Sequence, residues 1–139
     1  DLTGDDTDLD GVGEGDSDGD TCDPDERITY KRQEVDGVWM LVRERNNVSG
    51  ELPMPIAENI EAVFFEYLDG DGAVVTSIGS IRQVVITVVA RTARPDANYT
   101  DTNSYQSLLG TTVFTVTPAV EHYRRRLMSV QVECRNIGL

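Results

Sequence analysis

The run "SIRQVVITVVARTA", residues 80–93, constrains the fold of this chain more than any other segment. In an extended backbone, the even-numbered residues from Val84 to Ala90 lie on one side. Val85 and Val89 lie on the other side, so both sides of the run are apolar for part of its length. A strand that is apolar on both sides is typical of the interior of a sheet. The run therefore predicts a central β-strand.

Five further runs show the alternation and the β-branched or aromatic residues that are typical of strands. Two of them lie within "RITYKRQEVDGVWMLVRER" and flank Asp36-Gly37, a dipeptide that favours a two-residue hairpin turn. The others are "AENIEAVFFEYL", which precedes a "DGDG" turn, "TTVFTVTP" and "RRRLMSVQVECRN". The apolar residues expected to share one side are Val63, Phe65 and Tyr67 in the first of these, and Val130, Val132 and Cys134 in the last.

Proline, glycine and asparagine separate these runs. "NNVSGELPMP" breaks the pattern, with at most a turn at Pro55–Ile60, and "RPDANYTDTNSYQSLLG" has the composition of a long polar loop. No segment has a convincing helical period. The sequence therefore predicts a mainly β domain, an antiparallel sheet of about five or six strands with no helix longer than about three turns. The side chains that we expect to be buried include Val84, Ile86, Val88, Val130 and Val132.

A β-sheet buries one of its faces against another layer. Two sheets that face each other would satisfy this requirement, and so would a single sheet on a helix that this sequence lacks. The strands alone do not decide between these two arrangements.

The charge is concentrated at the beginning of the chain. Residues 1–27 hold 12 of the 25 acidic residues and one of the 12 basic residues, so most of the net charge of −13 lies there. We therefore divide the chain into an acidic Asp/Gly-rich head, residues 1–27, and a β domain, residues 28–139. Such a head repels nucleic acid and anionic lipid, and we expect no nucleic-acid partner. The chain begins at Asp1 without a methionine, which suggests a mature or trimmed fragment.

The acidic head has the carboxylate spacing of a calcium loop without its full pattern. Asp6, Asp8 and Asp10 precede Gly11, but the twelfth position holds Ser17 instead of the bidentate glutamate. The same spacing recurs in a second set, Asp16, Asp18 and Asp20. Alternating carboxylates suit Ca²⁺, which accepts six to eight oxygen ligands in flexible geometry. The six aspartates predict either a calcium site or a solvated acidic loop that binds ions diffusely.

The two cysteines and the arginine run have two readings each. Cys22 and Cys134 form one disulfide in an oxidising compartment, or else remain two thiols. Arg124–Arg126 is either a nucleic-acid patch or, as we expect, a set of strand arginines that pair with nearby carboxylates. His122 is expected to be an exposed residue at a strand end. No recognised catalytic motif occurs, so we expect no enzyme activity and no catalytic residues.

Four segments in order resemble a known family. "ERITY", "LPMPIAENIEAVFFEYLDGDG", "SIRQVVITVVART" and the terminal "HYRRRLMSVQVECRNIGL" are similar to the C-terminal half of a type IV pilus minor pilin of the PilW kind. The resemblance runs from about Glu26 to Asn136. This sequence departs from the family at Cys134, where an aliphatic residue is usual, and in lacking the family's N-terminal apolar helix. The segment "DSDGDTCD" in the head also resembles thrombospondin type 3 calcium-binding repeats.

The pilin resemblance implies a pilin-like α+β fold, in which an antiparallel sheet lies across a long N-terminal helix. It implies a non-enzymatic pseudopilin or minor pilin that acts in initiation or at the tip of a filament through subunit packing. Its partners would be other minor and major pilin subunits and a tip adhesin. Its location would be the cell surface, with anchoring in the inner membrane before assembly through the N-terminal helix. The alternative is an extracellular calcium-binding β-sandwich adhesion module, with Ca²⁺ held by the head.

If the six aspartates converge on one cation, calcium should stabilise the protein against heat. A ligand at a hundredfold excess over its Kd stabilises the folded form by about 2.7 kcal/mol, and for a domain of this size the melting temperature rises by several degrees. Mg²⁺ should act less, because it demands octahedral geometry and dehydrates reluctantly. Thermal melting at constant ionic strength with EGTA, Ca²⁺ or Mg²⁺ measures this, with Asp8→Ala and Asp18→Ala as variants. Identical curves in all three conditions would leave only diffuse screening.

A Cys22–Cys134 disulfide would close a loop of over 100 residues and stabilise the fold by about 4–5 kcal/mol in the chain-entropy model. Intact mass after alkylation, with and without prior reduction, should show two thiols that react only after reduction. Alkylation of both cysteines without reductant would contradict the pairing.

Overall fold

The computed structural model describes residues 28–45 and 52–134, which form a mainly β structure. Antiparallel strands dominate, as the sequence predicts, and the helices of the described part are two 3₁₀ turns of three residues each. The strands are β1 (Ile28–Val35), β2 (Val38–Arg45), β3 (Met54–Glu58), β4 (Ile60–Leu68), β5 (Gln83–Arg91), β6 (Ser104–Gln106), β7 (Thr112–Thr115) and β8 (Arg125–Glu133). The 3₁₀ turns are Ile78–Ser80 and Pro118–Val120.

The strands form three sheets, in the orders β1-β2-β3, β4-β5-β8 and β6-β7. Every pairing is antiparallel. The most apolar run of the sequence is the central strand β5, as predicted. The expectation of one sheet with five or six strands is wrong for the described residues, which form eight strands in sheets of three, three and two.

The turn between β1 and β2 is the predicted hairpin. Asp36 and Gly37 have φ angles of 51° and 79°, the left-handed region that a type I′ turn requires at both positions. This turn fixes the register, so that Glu34 pairs with Trp39 across the two strands. Arg32 lies 3.7 Å from the centre of the Trp39 ring, and its Nε donates to the carbonyl oxygen of Ile60 at 2.7 Å. The hairpin is thereby tied to the first residue of β4.

Two of the strands lie where the sequence pattern indicates loops. β3 covers most of Pro55–Ile60, where we expected at most a turn. β3 is an edge strand, and an edge strand tolerates Pro55 because a backbone N–H is not needed on the side that faces away from the sheet. The register of its pairing with β2 shifts between Leu41 and Val42. β6 is only three residues long and lies inside the segment expected to be a polar loop. Both strands are defined by their partners rather than by their own composition.

The apolar core of the described residues is small. Fully or nearly buried apolar side chains come from β2, from both ends of β4 and from β5: Met40, Val42, Ile60, Leu68, Val85 and Val89. The expected burial of Val84, Ile86 and Val88 is wrong, since all three are half-buried. Val130 and Val132 are 53% and 45% exposed, which contradicts their expected burial. Alternation correctly grouped these residues on one side of each strand, but the buried side of β5 is the other one, which carries Val85, Thr87 and Val89.

A buried arginine holds the long connection between β5 and β8 against the sheet. The Arg125 side chain has no solvent exposure, and it forms ion pairs with Glu61 of β4 at 2.9 Å and with Asp101 at 3.2 Å. Its terminal nitrogens also donate to the carbonyl oxygens of Val120 and Tyr123, at 2.8 and 3.1 Å. A buried ion pair persists only when such hydrogen bonds compensate the lost hydration. Arg125 therefore fixes the start of β8, β4 and the connection relative to one another.

Asp101 is held in its charged form by its donors. Burial by itself would raise the pKa of Asp101, but hydrogen bonds from the Asn103 backbone, the Tyr105 hydroxyl and Arg125 outweigh it and hold the pKa below its usual value. Burial and the hydrogen bond to Asp101 raise the pKa of Tyr105 to about 12. Because the folded-state pKa of Asp101 is lowered, its contribution to stability is complete at neutral pH. That contribution is lost in acid, as the pH falls through the folded-state value.

Replacing Asp101 with asparagine should lower the free energy of unfolding at pH 7 by about 3 kcal/mol, because the buried guanidinium loses a charged partner. Urea unfolding measures the change. The difference from the unsubstituted protein should begin to shrink as the pH falls below about 4, the ordinary aspartate pKa of the unfolded chain, and should be lost as it falls through the lower folded-state pKa of Asp101.

The matched control is Asp96→Asn. Asp96 pairs with Arg124 at 2.8 Å, but both side chains are solvent-exposed, and exposed pairs contribute little. Its unfolding curve should lie close to that of the unsubstituted protein. Equal curves for Asp101→Asn and Asp96→Asn would show that the buried pair does not hold the fold.

Candidate functional site: an open apolar sheet face

One face of the β4-β5-β8 sheet is apolar and incompletely covered by the described residues. Nine side chains form three rows across the strands, because the register places each member beside its neighbours. We call these nine residues the open apolar face. Its rows are Tyr67, Val84 and Val132; Phe65, Ile86 and Val130; and Val63, Val88 and Met128.

Exposure rises from the centre of this face toward the edge strand β8. The β5 members are half-buried, whereas Met128, Val130 and Val132 are 46%, 53% and 45% exposed. Thr87, on the opposite side of β5, is fully buried. A polar threonine is thus covered while valines on the other side remain open. Contiguous exposed apolar surface of this kind marks an interaction site.

A cavity of about 240 Å³ continues the open apolar face toward the first sheet. Its walls are apolar and aromatic side chains from both three-stranded sheets. They are Tyr30, Leu41 and Ile56 from the first sheet, and Val63, Phe65 and Ile86 from the open apolar face. Tyr30 and Ile56 are 47% and 50% exposed. The face and the cavity together form one apolar groove, to which both sheets contribute.

The dimensions of this groove match those of an α-helix. The three rows span residues 84–88 of β5, a length of about 15 Å, and a helix of about ten residues has the same length. Three strands lie about 10 Å apart from first to last, close to the diameter of a helix with its side chains. A helix with an apolar stripe facing the sheet would cover all three rows.

One end of the open apolar face is basic. A cavity of about 270 Å³ beside the start of β8 is lined by the backbone or side chains of Ala90, Arg91, Thr92, Arg124, Arg125 and Arg126. Three of these arginines have carboxylate partners. Arg91 has Glu61, and in the run expected to pair with carboxylates Arg125 has Glu61 and Asp101 and Arg124 has Asp96. The hydrogen bond from Arg124, followed by that from the Asn98 backbone, lowers the pKa of Asp96. Much of the positive charge at this end is therefore neutralised within the domain.

The opposite face of the same sheet carries a buried carboxylate. Glu66 is 7% exposed, and its Oε1 accepts hydrogen bonds from the hydroxyls of Ser107 and Thr111, each at 3.0 Å. These bonds clamp the β6–β7 turn onto β4. The turn presents Leu108 and Leu109, which are 59% and 45% exposed. Glu66 therefore positions this loop against β4.

The aspartates expected to bind calcium lie outside the described residues, so the calcium site stays a prediction. The same holds for Cys22. Cys134 follows β8 and is half-buried, in a cavity that Gly70, Arg82, Gln83 and Glu133 also line. Its pairing with Cys22 also stays a prediction. Within residues 28–45 and 52–134, no group of three or more acidic, histidine or cysteine side chains could hold a metal ion.

His122 is exposed, as expected, but it lies in the turn before β8. Its Nδ1 is 2.7 Å from the carbonyl oxygen of Tyr99, and Nε2 is 3.7 Å from Glu121. In the part of the chain that the structure describes, no helix is long and apolar enough to cross a membrane. The residues of the groove that the sequence pattern did not single out are Tyr30, Leu41, Ile56 and Met128. Of these, Met128 alternates with Val130 and could have been found.

Comparison of the chain with models of protein families, with curated proteins and with solved structures yields no match. The open apolar face is therefore the feature on which a functional interpretation rests.

Proposed function

We propose that this chain is a non-enzymatic structural subunit, the ectodomain of a minor pilin or pseudopilin that acts in initiation or at the tip of a type IV pilus-like filament. The observation that carries the proposal is the open apolar face, with its rows of half-exposed side chains. In this proposal an α-helix covers the face. The resemblance of four sequence segments to minor pilins points to the same partner for the sheet.

The energetics favour an occupied face. Fully burying one large aliphatic or aromatic side chain contributes about 1.5–3 kcal/mol, and the nine members of the face are already partly buried. Covering them would contribute on the order of 1 kcal/mol for each side chain. A sum of that size is comparable to the net stability of a small domain. Subunit packing would then be coupled to the stability of the sheet itself.

The remaining features of the proposal follow from the resemblance. The partners are other minor and major pilin subunits and a tip adhesin, and the location is the cell surface after anchoring in the inner membrane. The alternative function, an extracellular calcium-binding adhesion module, depends on the aspartates of the head. A melting shift specific to Ca²⁺ would favour that alternative, whereas the open apolar face favours assembly.

A charge on the open apolar face should abolish filaments without unfolding the domain. Val130→Asp places a carboxylate in the middle row, where a covering helix would bury it without a partner. The variant gene replaces the native gene in the source strain, and filaments are counted by electron microscopy. Val130 is 53% exposed, so the isolated domain should keep its circular dichroism spectrum.

The matched control is Val74→Asp, the same substitution at a 65% exposed valine in the turn after β4. Filament numbers should stay at the native level in this strain. Native filament numbers with Val130→Asp would contradict the proposed packing on this face.

A further inference from the structure

We propose that the free edge of β8 is a self-association surface, at which β8 pairs antiparallel with β8 of a second copy of this chain. The two-fold axis passes between Ser129 and Ser129 of the second copy, at the middle of the nine-residue strand. Among the described residues β8 pairs with β5 on one side only, and Met128–Glu133 are all exposed. An unpaired strand edge offers a row of backbone donors and acceptors to another strand.

The other long edges of these sheets carry features that oppose pairing. The middle of β1 carries three charged residues, Lys31, Arg32 and Glu34. β3 contains Pro55, which offers no backbone donor. Such charges and prolines are the devices by which edge strands avoid association. Within β8, by contrast, residues 127–132 ("LMSVQV") contain neither charge nor proline.

The free edge of β4 is protected in another way. Leu68 at its end forms a bridge with Val74, and Val75 donates to the carbonyl oxygen of Tyr67 at 2.9 Å. Glu66 in the same strand receives the β6–β7 turn. The part of the chain that the structure describes therefore leaves β8 as the one long edge without charge, proline or cover along its middle.

The backbone hydrogen bonds of β5 and β8 show which residues point outward. Thr92 donates to the carbonyl oxygen of Arg124 at 2.9 Å, and Cys134 donates to that of Arg82 at 2.7 Å. Arg124 and Cys134 are the even-numbered positions on either side of β8. Because hydrogen-bonded pairs alternate along an antiparallel ladder, the even-numbered residues of β8 direct their backbone groups to β5. The odd-numbered residues, including Leu127, Ser129 and Gln131, therefore direct their N–H and C=O groups to the free edge.

A second copy fits this edge in one register better than in any other. With Ser129 opposite Ser129 of the second copy, all nine residues of β8 are paired, and every other two-fold register pairs fewer of them. In this register the residues whose N–H and C=O groups point to the free edge lie opposite one another. Leu127, for example, faces Gln131 of the second copy. Five odd-numbered residues on each strand then give about ten backbone hydrogen bonds.

The side chains also agree with a second copy as the occupant. Met128 lies opposite Val130 of the second copy, an apolar cross-strand pair of the kind that stabilises sheets. At the ends of the strand, Arg125 lies opposite Glu133 of the second copy, so no like charges face each other. Met128 and Val130 both belong to the open apolar face, which thus continues across the junction. A strand with a different sequence would not show this symmetry.

Sedimentation velocity of the full chain over a range of concentrations tests the pairing, in reductant so that neither cysteine can cross-link. We expect a concentration-dependent dimer. Ser129→Pro should weaken it at least tenfold, because it removes the outward N–H at the axis, and edge strands tolerate proline there. Ser129→Ala is the control, since it removes the 3.1 Å contact between the Ser129 and Thr87 hydroxyls but keeps the backbone donor.

A cross-link tests the register. In a background with Cys22→Ser and Cys134→Ser, oxidised Ser129→Cys should form a covalent dimer, because opposite Cα atoms of a hydrogen-bonded pair are about 5.5 Å apart, within the range of a disulfide. Gln131→Cys should not, because its copies lie four residues apart along the strand, about 13 Å.

Three results would overturn the proposal. One is a monomer at every concentration. Another is a dimer that Ser129→Pro leaves intact, which would place the contact on the open apolar face or elsewhere. The third is equal cross-linking of Ser129→Cys and Gln131→Cys, which would exclude this register.

Discussion

The buried charge of Arg125 is the constraint on which the arrangement of the described sheet depends. Its guanidinium has no solvent exposure and finds its two carboxylates on β4 and on the connection between β5 and β8. Removing a charge from water costs several kcal/mol, so the fold is stable only when these partners are in place. Since Arg125 is the first residue of β8, the same contacts set where the strand enters the sheet. The composition of the open apolar face follows from that entry point.

The strands that the sequence predicts are those whose own residues specify an extended, half-buried chain. Six of the eight were expected, including the central strand β5 and the hairpin at Asp36-Gly37. β3 and β6 were missed because tertiary contacts define them. Pro55 is compatible with β3 only because the strand lies at an edge. β6 lies within a cluster of polar contacts in which Tyr105 donates to Asp101 at 2.7 Å. No local pattern reports contacts of this kind.

The candidate site was predictable in its composition but not in its exposure. Alternation correctly assigned Val130 and Val132 to one side of β8, yet it could not say what covers that side. Thr87 is buried and Val130 is half exposed, the reverse of their ranking by hydrophobicity. Burial depends on which layer packs on which face, and this is decided by contacts between distant segments. The ion pair between Glu61 and Arg125 joins residues 64 positions apart, which no sequence pattern reveals.

The two surfaces proposed for assembly are geometrically independent. The open apolar face points perpendicular to the sheet, whereas the free edge of β8 points along the hydrogen-bond direction within the sheet plane. A helix on the face contacts side chains of even-numbered β8 residues, and a strand at the edge bonds the backbone of the odd-numbered ones. The helix leaves free the backbone groups that the second copy needs, and the side chains of Met128 and Val130 contribute to both contacts. One subunit can therefore engage a covering helix and a neighbouring sheet at the same time, which is what a structural subunit within a larger assembly requires.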